Sequence, residues 1–201
     1  TYSTGFLTSD LRTNSSSVTL SFSGSTITAG ASTFGSAKVG DFIIVTGATN
    51  EDNNGTHKIT TVTSATVVVT TSTFTTESNT ASCKVRTNVK GATGLCLKAS
   101  TNAANGTIKK GDYLQIQSAA NTTGTPTQLV MVTEDATVTA DSGKDFYGVA
   151  IQPKLRSDLA TGHYAVFTNP KGTFRLISNE VSWSADRISN YGISFSCTEV
   201  I

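Results

Sequence analysis

Apolar residues in this chain alternate with Ser and Thr in short runs, which Gly, Asn and Pro interrupt. The segment Val18–Ser23 (VTLSFS) shows the period of two that a half-buried β-strand requires. No stretch has the spacing of a long amphipathic helix. The sequence therefore predicts an all-β fold, made of two small antiparallel β-sandwich or barrel-like modules with at most one or two short helical turns.

The predicted strands are rich in β-branched and aromatic residues and end at turn-forming residues. They are Val18–Ser23, Thr26–Thr28, Phe42–Val45, His57–Val62, Thr66–Thr70, Tyr113–Ile116, Gln128–Val132, Phe146–Ile151, Ala165–Thr168, Thr173–Ile177 and Ile193–Ser196. Gly24 and Ser25 predict a turn, and Ala48–Thr56 predicts a polar loop. Short helical turns are predicted at Ser184–Asn190, capped by Ser184, and at Leu155–Ala160.

Gly and small residues at Asn88–Gly94 indicate a boundary between an N-terminal module, 1–88, and a C-terminal module, 89–201. Each module contains a Gly-Asp pair that follows a Lys and precedes an aromatic β run, at Lys38–Ile43 and Lys109–Leu114. An internal duplication and a hairpin solution shared by chance both explain the repetition. In either case Gly40, Asp41, Gly111 and Asp112 are predicted to form turns that set strand register.

Composition excludes several functional classes. The chain is 37% hydrophobic and 14% charged, with a net charge of +1. Nucleic-acid binding needs clustered Lys and Arg, so we expect no nucleic-acid partner. No apolar run approaches the roughly 18 residues that span a bilayer, so we expect no membrane partner. Thr1–Gly5 lacks the basic start and apolar core of a signal peptide, so we expect synthesis in a reducing cytoplasm.

The three cysteines, Cys83, Cys96 and Cys197, cannot all pair within one chain. Each lies in an apolar or strand-like run, which favours buried free thiols.

The sequence offers no catalytic, cofactor-binding or metal-binding residue that we can name, and we expect a protein that is not an enzyme. His57 and His163 lie beside predicted turns and are interpreted as exposed polar residues. No Gly-x-Ser-x-Gly elbow is present. The acidic segment Glu51–Gly55 lacks the ligand spacing and final Glu of a calcium loop. Trp183 is interpreted as a core residue, because no aromatic platform for a sugar is evident.

Several segments in order resemble a family of tailed-bacteriophage virion proteins found among tail structural genes. They are Lys110–Ile116, Gln128–Ala136, Ile151–Arg156, Asn169–Leu176 and Tyr191–Phe195. The run Val39–Gly47, followed by Asn54–Ile59 and Val62, resembles a small β module that recurs in phage structural proteins. The resemblance implies an assembled particle and carries over no catalytic residue.

Our first hypothesis is a tail protein of the distal-tail, tail-tip or tube-associated kind, which acts by self-association in the virion after synthesis in the host bacterial cytoplasm. Its expected partners are copies of itself, as a homo-oligomer, and other virion proteins. Two alternatives stay open: a capsid decoration or cement protein, and a cell-surface or carbohydrate-binding β module. Exposed strand edges that neighbouring copies pair would suit an assembled subunit.

Overall fold

The computed structural model describes residues 6–7, 14–99, 108–118, 126–160, 162–177, 182–185, 191–194 and 196–200. Strands make up 59% of it, and they form several antiparallel sheets. Within the described residues the one helical segment is a 3-10 turn, Glu51–Asn53. The all-β prediction is confirmed.

Fifteen strands are numbered here in chain order. They are β1 (Phe6–Leu7), β2 (Asn14–Ala29), β3 (Phe42–Thr46), β4 (Gly55–Ser64), β5 (Val67–Arg86), β6 (Gly94–Lys98), β7 (Tyr113–Gln117), β8 (Pro126–Val132), β9 (Thr137–Asp141), β10 (Lys144–Gln152), β11 (Tyr164–Val166), β12 (Phe174–Leu176), β13 (Ser182–Ala185), β14 (Tyr191–Ser194) and β15 (Cys197–Glu199).

Strands β2 to β5 form the N-terminal barrel, in the order β2-β5-β3-β4, with a further pairing of β5 to β4. The predicted turn at Gly24 and Ser25 is wrong, because β2 runs unbroken through both residues. Gly24 has a φ of 57° and bends the strand instead of ending it. The core of this barrel consists of buried aliphatic and aromatic residues, among them Leu20, Phe22 and Ile43.

Strand β5 extends to Arg86, well beyond the predicted strand Thr66–Thr70. The prediction stopped early because the spacing of the apolar residues changes along the strand. Against Leu20, Phe22 and Gly24 of β2 it pairs Thr80, Glu77 and Phe74, so two residues of β2 face three of β5. Each extra residue is a β-bulge, and bulges increase the local twist of a strand. The repeated bulges therefore coil the long β2–β5 pair around the barrel core.

The C-terminal barrel has the strand order β6-β1-β11-β7-β8-β10-β9, and a β6–β10 pairing closes it. Its core packs residues such as Leu95, Leu114, Ile116 and Tyr147. Strand β1 precedes the N-terminal barrel in sequence but pairs with β11 and β6 of this one. The first described residues therefore tie the two barrels together.

The repeated Lys-x-Gly-Asp segments form the same turn in both barrels. Asp41 Oδ2 accepts a hydrogen bond from Lys38 N at 2.8 Å, and Asp112 Oδ2 accepts one from Lys109 N at 2.9 Å. The intervening glycines have φ of 91° (Gly40) and 92° (Gly111), a region that favours glycine.

Each turn then joins a partner strand by the same two backbone hydrogen bonds. Gly40 N donates to Ile59 O, and Ile59 N donates to Asp41 O, both at 2.8 Å. In the second barrel Gly111 N donates to Val132 O at 2.9 Å, and Val132 N donates to Asp112 O at 2.8 Å. These bonds fix the register of β3 on β4 and of β7 on β8.

The two barrels meet through direct backbone contact. A Cβ built on Gly148 would overlap the carbonyl oxygen of Gly40, and one built on Gly94 would overlap the ring of Phe42. Beside them, Phe42 N donates to Cys96 Sγ at 3.3 Å. Three cations of the N-terminal barrel also pair with acids of the C-terminal one: Lys38 with Asp141, Lys58 with Glu134 and Arg86 with Asp158.

Beyond the barrels, β12 pairs with β15, and β13 pairs with β14. The predicted helical turn at Ser184–Asn190 is wrong at its start, because Ser184 lies in β13; residues 186–190 lie outside the described part. The turn predicted at Leu155–Ala160 is also wrong, since that segment is irregular. There the backbone amides of Leu155 and Leu159 donate to Ala92 O and Asn88 O, bonds that the N–H groups of a helix would make internally.

Candidate functional site

Carboxamide side chains hold the loop 48–54 in place. Asn53 Nδ2 donates to Thr75 O at 2.9 Å, and Thr75 N donates to Asn53 Oδ1 at 3.0 Å. Asn54 makes the same pair of bonds to Ala48. Ala48 N donates to Asn54 Oδ1 at 2.9 Å, and Asn54 Nδ2 donates to Ala48 O at 3.2 Å. Each amide side chain therefore replaces the peptide group of a missing neighbouring strand.

The same two-point contact recurs in the C-terminal half. Asn88 Oδ1 accepts from Cys96 N at 2.8 Å, while its Nδ2 donates to Cys96 O at 2.9 Å. Gln128 bridges a loop, because its Nε2 donates to Lys154 O at 2.9 Å and its Oε1 accepts from Arg156 N at 3.1 Å. We call these side chains, Asn53, Asn54, Asn88 and Gln128, the carboxamide clamps.

Glu77 reinforces the clamp on the loop 48–54. Its carboxylate accepts from Thr49 N at 2.7 Å, Asn50 N at 3.1 Å, Asn53 Nδ2 at 3.0 Å and the hydroxyl of Thr80. Desolvation opposes ionisation, but the hydrogen bonds outweigh it and lower the pKa of Glu77 to about 2. The charged carboxylate is therefore a structural acceptor.

His57 is buried, so its interpretation as an exposed residue is wrong. Its Nε2 lies 3.1 Å from Asn53 O, a carbonyl that only accepts, so Nε2 carries the proton. Nδ1 is then free to accept from Ser72 Oγ at 2.8 Å. The ring also packs edge-on against Phe74 at 4.9 Å. The histidine thus links the 3-10 turn, β4 and β5.

A serine hydroxyl donating to a neutral imidazole is also the geometry of a nucleophilic pair. Here burial lowers the pKa of His57, although the Asn53 carbonyl opposes the shift. In a catalytic triad a carboxylate stabilises the imidazolium; a backbone carbonyl occupies that position here. Ser72 N meanwhile donates to Thr70 Oγ1 at 3.2 Å. The His57–Ser72 pair is suited to holding strands together, and the lowered pKa makes the His57 imidazole a poor proton acceptor.

The other residues considered from sequence are dispersed. His163 is half-buried and contacts the backbone of Ala160 in the C-terminal half. Glu51 and Asp52 lie in the 3-10 turn. Within the described residues no group of three or more His, Cys, Asp or Glu side chains could hold a metal ion. The side chain of Trp183 lies outside the described part.

Two of the three thiols follow the expectation of burial. Cys83 and Cys96 are buried and free, and burial raises the pKa of Cys83. Cys197 is free but exposed, so its predicted burial is wrong. It lies in β15, which pairs only with β12 among the described strands, although Glu199 of the same strand accepts a hydrogen bond from Leu129 N of β8.

The two-stranded segment that contains Cys197 holds four of the seven exposed large hydrophobic side chains in the described part of the chain. We call residues 173–177 and 196–200 the C-terminal ribbon. Its exposed fractions are 52% for Phe174, 48% for Leu176, 67% for Ile177 and 39% for Val200. Exposed apolar groups that cluster in this way are typical of interaction surfaces. Sequence alternation predicted β12, within Thr173–Ile177, but missed β15: the predicted strand Ile193–Ser196 overlaps the end of β14 instead.

No family model, curated protein or solved structure matches this chain. Among the described residues, no helix has the length and hydrophobicity to cross a membrane.

Proposed function

We propose that this chain is a structural subunit of a tailed-bacteriophage virion, most specifically a tail component that acts by self-association. Its partners in this proposal are copies of itself and other virion proteins, and it performs no catalysis. The ordered resemblance of Lys110–Ile116, Gln128–Ala136 and the later segments to phage tail-associated proteins supports the placement in a virion.

The observation that carries the structural role is what the polar side chains bind. The carboxamide clamps, Glu77 and the His57–Ser72 pair are all engaged in fixing backbone in loops and along strand edges. An enzyme commonly keeps titratable groups poised toward a cleft. Side chains that instead seal the backbone limit local opening, which protects a particle subunit from proteases.

The direct contact between the barrels supports the same role. Because Gly40 and Gly148 meet through backbone atoms, the barrels form one body without a linker that could bend. A rigid subunit loses little conformational freedom when it joins an assembly, so more of the contact free energy stabilises the particle.

The test is the mass and shape of the purified full chain, by light scattering after size exclusion and by negative-stain microscopy of the same peak. We expect closed rings or growing tubes. A compact trimer would favour the capsid decoration protein over the tail component. A monomer at every concentration would overturn self-association, and binding to capsids and glycans would then be measured.

A further inference from the structure

Beyond β11 the described chain adds no strand to either barrel. Strand β12 pairs with β15 and β13 pairs with β14, and neither pair joins a barrel strand. The buried clusters that form the two barrel cores contain no described residue after Ala165, and Phe167 is the last described residue that packs against them. The C-terminal ribbon is therefore attached to the C-terminal barrel without a share in its hydrophobic core.

Backbone hydrogen bonds hold the two strands of the ribbon to each other. Strands β12 and β15 pair along their whole length. Ile177 N donates to Ser196 O at 3.0 Å, and Val200 N donates to Thr173 O at 2.7 Å, so the ladder extends by one residue pair at each end. The ribbon is therefore a connected unit, which can move as one piece when its contacts with the barrel break.

Within the described ribbon, Glu199 is the residue whose side chain bonds to the barrel. Its Oε1 accepts from Leu129 N at 2.7 Å, and its Oε2 lies 2.7 Å from Arg156 Nη1. That Nη1 is buried and forms no well-aligned hydrogen bond, so the contact with Oε2 is an ion pair. The side chains of Glu199 and Arg156 are 13% and 26% exposed, so water and salt screen the pair only in part.

The N–H of Leu129 lies on a part of β8 that β10 does not cover. Strand β8 pairs with β10 only at Met131 and Val132, and β10 ends at Gln152. Leu129 precedes this stretch, and its N–H is bound by the Glu199 carboxylate instead of by a strand. The ribbon therefore closes a gap in the strand edge through one side chain, at a place that water can occupy when the side chain leaves.

The chain that leads into the ribbon is fixed just before it. Lys171 N donates to Gln115 Oε1 at 2.8 Å. A Cβ built on Gly172 would lie 2.8 Å from Phe174 Cε2 and 3.3 Å from Leu129 Cβ, so the base of the ribbon lies close to β8. From position 173 to position 177 every residue is exposed. The ribbon is thus anchored at Lys171 and held beyond that point by Glu199.

We propose that the C-terminal ribbon is a strap, which swings off the C-terminal barrel as one piece when Glu199 releases Leu129 and Arg156. The pivot is at Lys171 and Gly172, because Gln115 holds the chain there. The barrel core stays intact in the open state, since no described ribbon residue belongs to it. Opening uncovers the Leu129 N–H and the Arg156 guanidinium, two donors arranged around one carboxylate. This inference does not depend on the proposed role in a virion.

Hydrogen exchange of single backbone amides in the full native chain, measured by NMR, tests whether the strap opens separately. Val132 lies in the same strand as Leu129, and its N–H donates to Asp112 O inside the barrel at 2.8 Å. Strap opening frees the Leu129 N–H without unfolding the barrel. The protection factor of Leu129 should therefore be lower than that of Val132 by roughly tenfold or more.

A spin label on Cys197 tests whether Glu199 is the latch. Cys197 is the exposed thiol of the ribbon, whereas Cys83 and Cys96 are buried, so a nitroxide maleimide reports on the ribbon. Glu199→Ala should shift the nitroxide spectrum toward fast motion. Glu134→Ala is the matched control, because it removes an ion pair with Lys58 elsewhere on the same barrel and should leave the spectrum unchanged.

Each outcome decides for or against the strap. Lower protection of Leu129 in the native chain, with faster label motion in Glu199→Ala, supports it. Equal protection factors for Leu129 and Val132 overturn it, because the ribbon then leaves only when the barrel unfolds. An unchanged spectrum in folded Glu199→Ala also overturns it, and the native-chain experiment decides if that variant does not fold. These readouts do not involve self-association, so the proposed function is tested separately.

Discussion

Asn53 and Thr75 are joined by two hydrogen bonds in which a side-chain amide stands in for a peptide group, at 2.9 and 3.0 Å. Thr75 lies in the middle of β5, beyond the residues that pair with β4. The loop 48–54 thereby covers a stretch of strand edge that would otherwise expose its backbone. An uncovered edge of that kind invites pairing with other chains.

Asn53→Asp should destabilise the protein by about 2 to 3 kcal/mol, because it removes the Nδ2 donor and leaves Thr75 O without its partner. It also places a carboxylate beside Glu77. Urea denaturation followed by circular dichroism measures the loss. Asn169→Asp is the control, since Asn169 is exposed. Equal effects of the two substitutions would show that the clamp contributes nothing specific.

His57 should make stability depend on pH. Burial lowers its pKa from 6.5, so below pH 6.5 the unfolded chain binds more protons than the folded one. The free energy of unfolding should therefore fall as pH decreases from 6.5 toward the folded pKa, by at most about 1.4 kcal/mol per pH unit. Urea midpoints at several pH values measure this. His57→Gln should remove this dependence and His163→Gln should retain it; a native chain with a flat profile would contradict the assignment.

Glu77→Gln should lower the free energy of unfolding by about 1 to 2 kcal/mol at pH 7. The wild-type carboxylate offers two charged oxygens to its donors, whereas the amide offers one neutral oxygen. The wild-type advantage is present above the ordinary pKa of 4.5 and is lost as pH falls toward about 2. The two chains should therefore converge in acid. Glu51→Gln, at an exposed position of the 3-10 turn, is the control and should match the wild type at pH 7.

Substitutions at Gly40 and Gly111, in the two Gly-Asp turns, should distinguish backbone strain from steric overlap. Gly111 has a φ of 92° and an added Cβ would meet no atom within 4 Å, so Gly111→Val should cost about 1 to 3 kcal/mol through strain and reduce soluble yield. Gly40→Val should cost more, because its Cβ would also overlap the side chain of Thr137. Gly111→Asn should be milder, since Asn tolerates positive φ better. Unchanged folding of Gly111→Val would contradict the need for glycine.

Gly148→Ala should destabilise the contact between the barrels by about 3 kcal/mol, because its methyl group would overlap Gly40 O and neither backbone can move away freely. The wild type should unfold in one transition, and the variant should separate the two barrels into two transitions in calorimetry. Gly35→Ala is the control, with its added Cβ 3.9 Å from Ala65 Cβ. A single unshifted transition in Gly148→Ala would exclude tight docking.

The period of two predicted Val18–Ser23 correctly, because Val18, Leu20 and Phe22 are buried in the barrel while the residues between them are not. Phe42–Thr46 and Tyr113–Gln117 were predicted from their β-forming residues instead, since both faces of these strands are largely buried. The sequence pattern missed residues 71–86 of β5, where the bulged pairing changes the inward spacing from two residues to three. It also placed a turn at Gly24, because a glycine that bends a strand has the same local signature as one that ends it.

The carboxamide clamps could not be found from sequence. Asn53 and Asn54 stand in a polar loop where Asn ordinarily favours a turn, and the backbone that Asn53 binds is 22 residues away. His57 was misassigned for a similar reason, since its burial depends on Ser72 and Phe74 of the next strand. The Gly-Asp turns were predictable because the hydrogen bonds that close them are local: Lys38 N donates to Asp41, and Lys109 N donates to Asp112.

The approach of Gly148 to Gly40 also constrains how an assembly of this chain could curve. Backbone atoms meet there, so the angle between the barrels has no rotamer freedom. In the proposed assembly each copy would therefore act as a rigid spacer with a fixed angle between its two barrels. If such an assembly forms a ring or tube, its curvature would then arise at the joints between copies and not within the subunit.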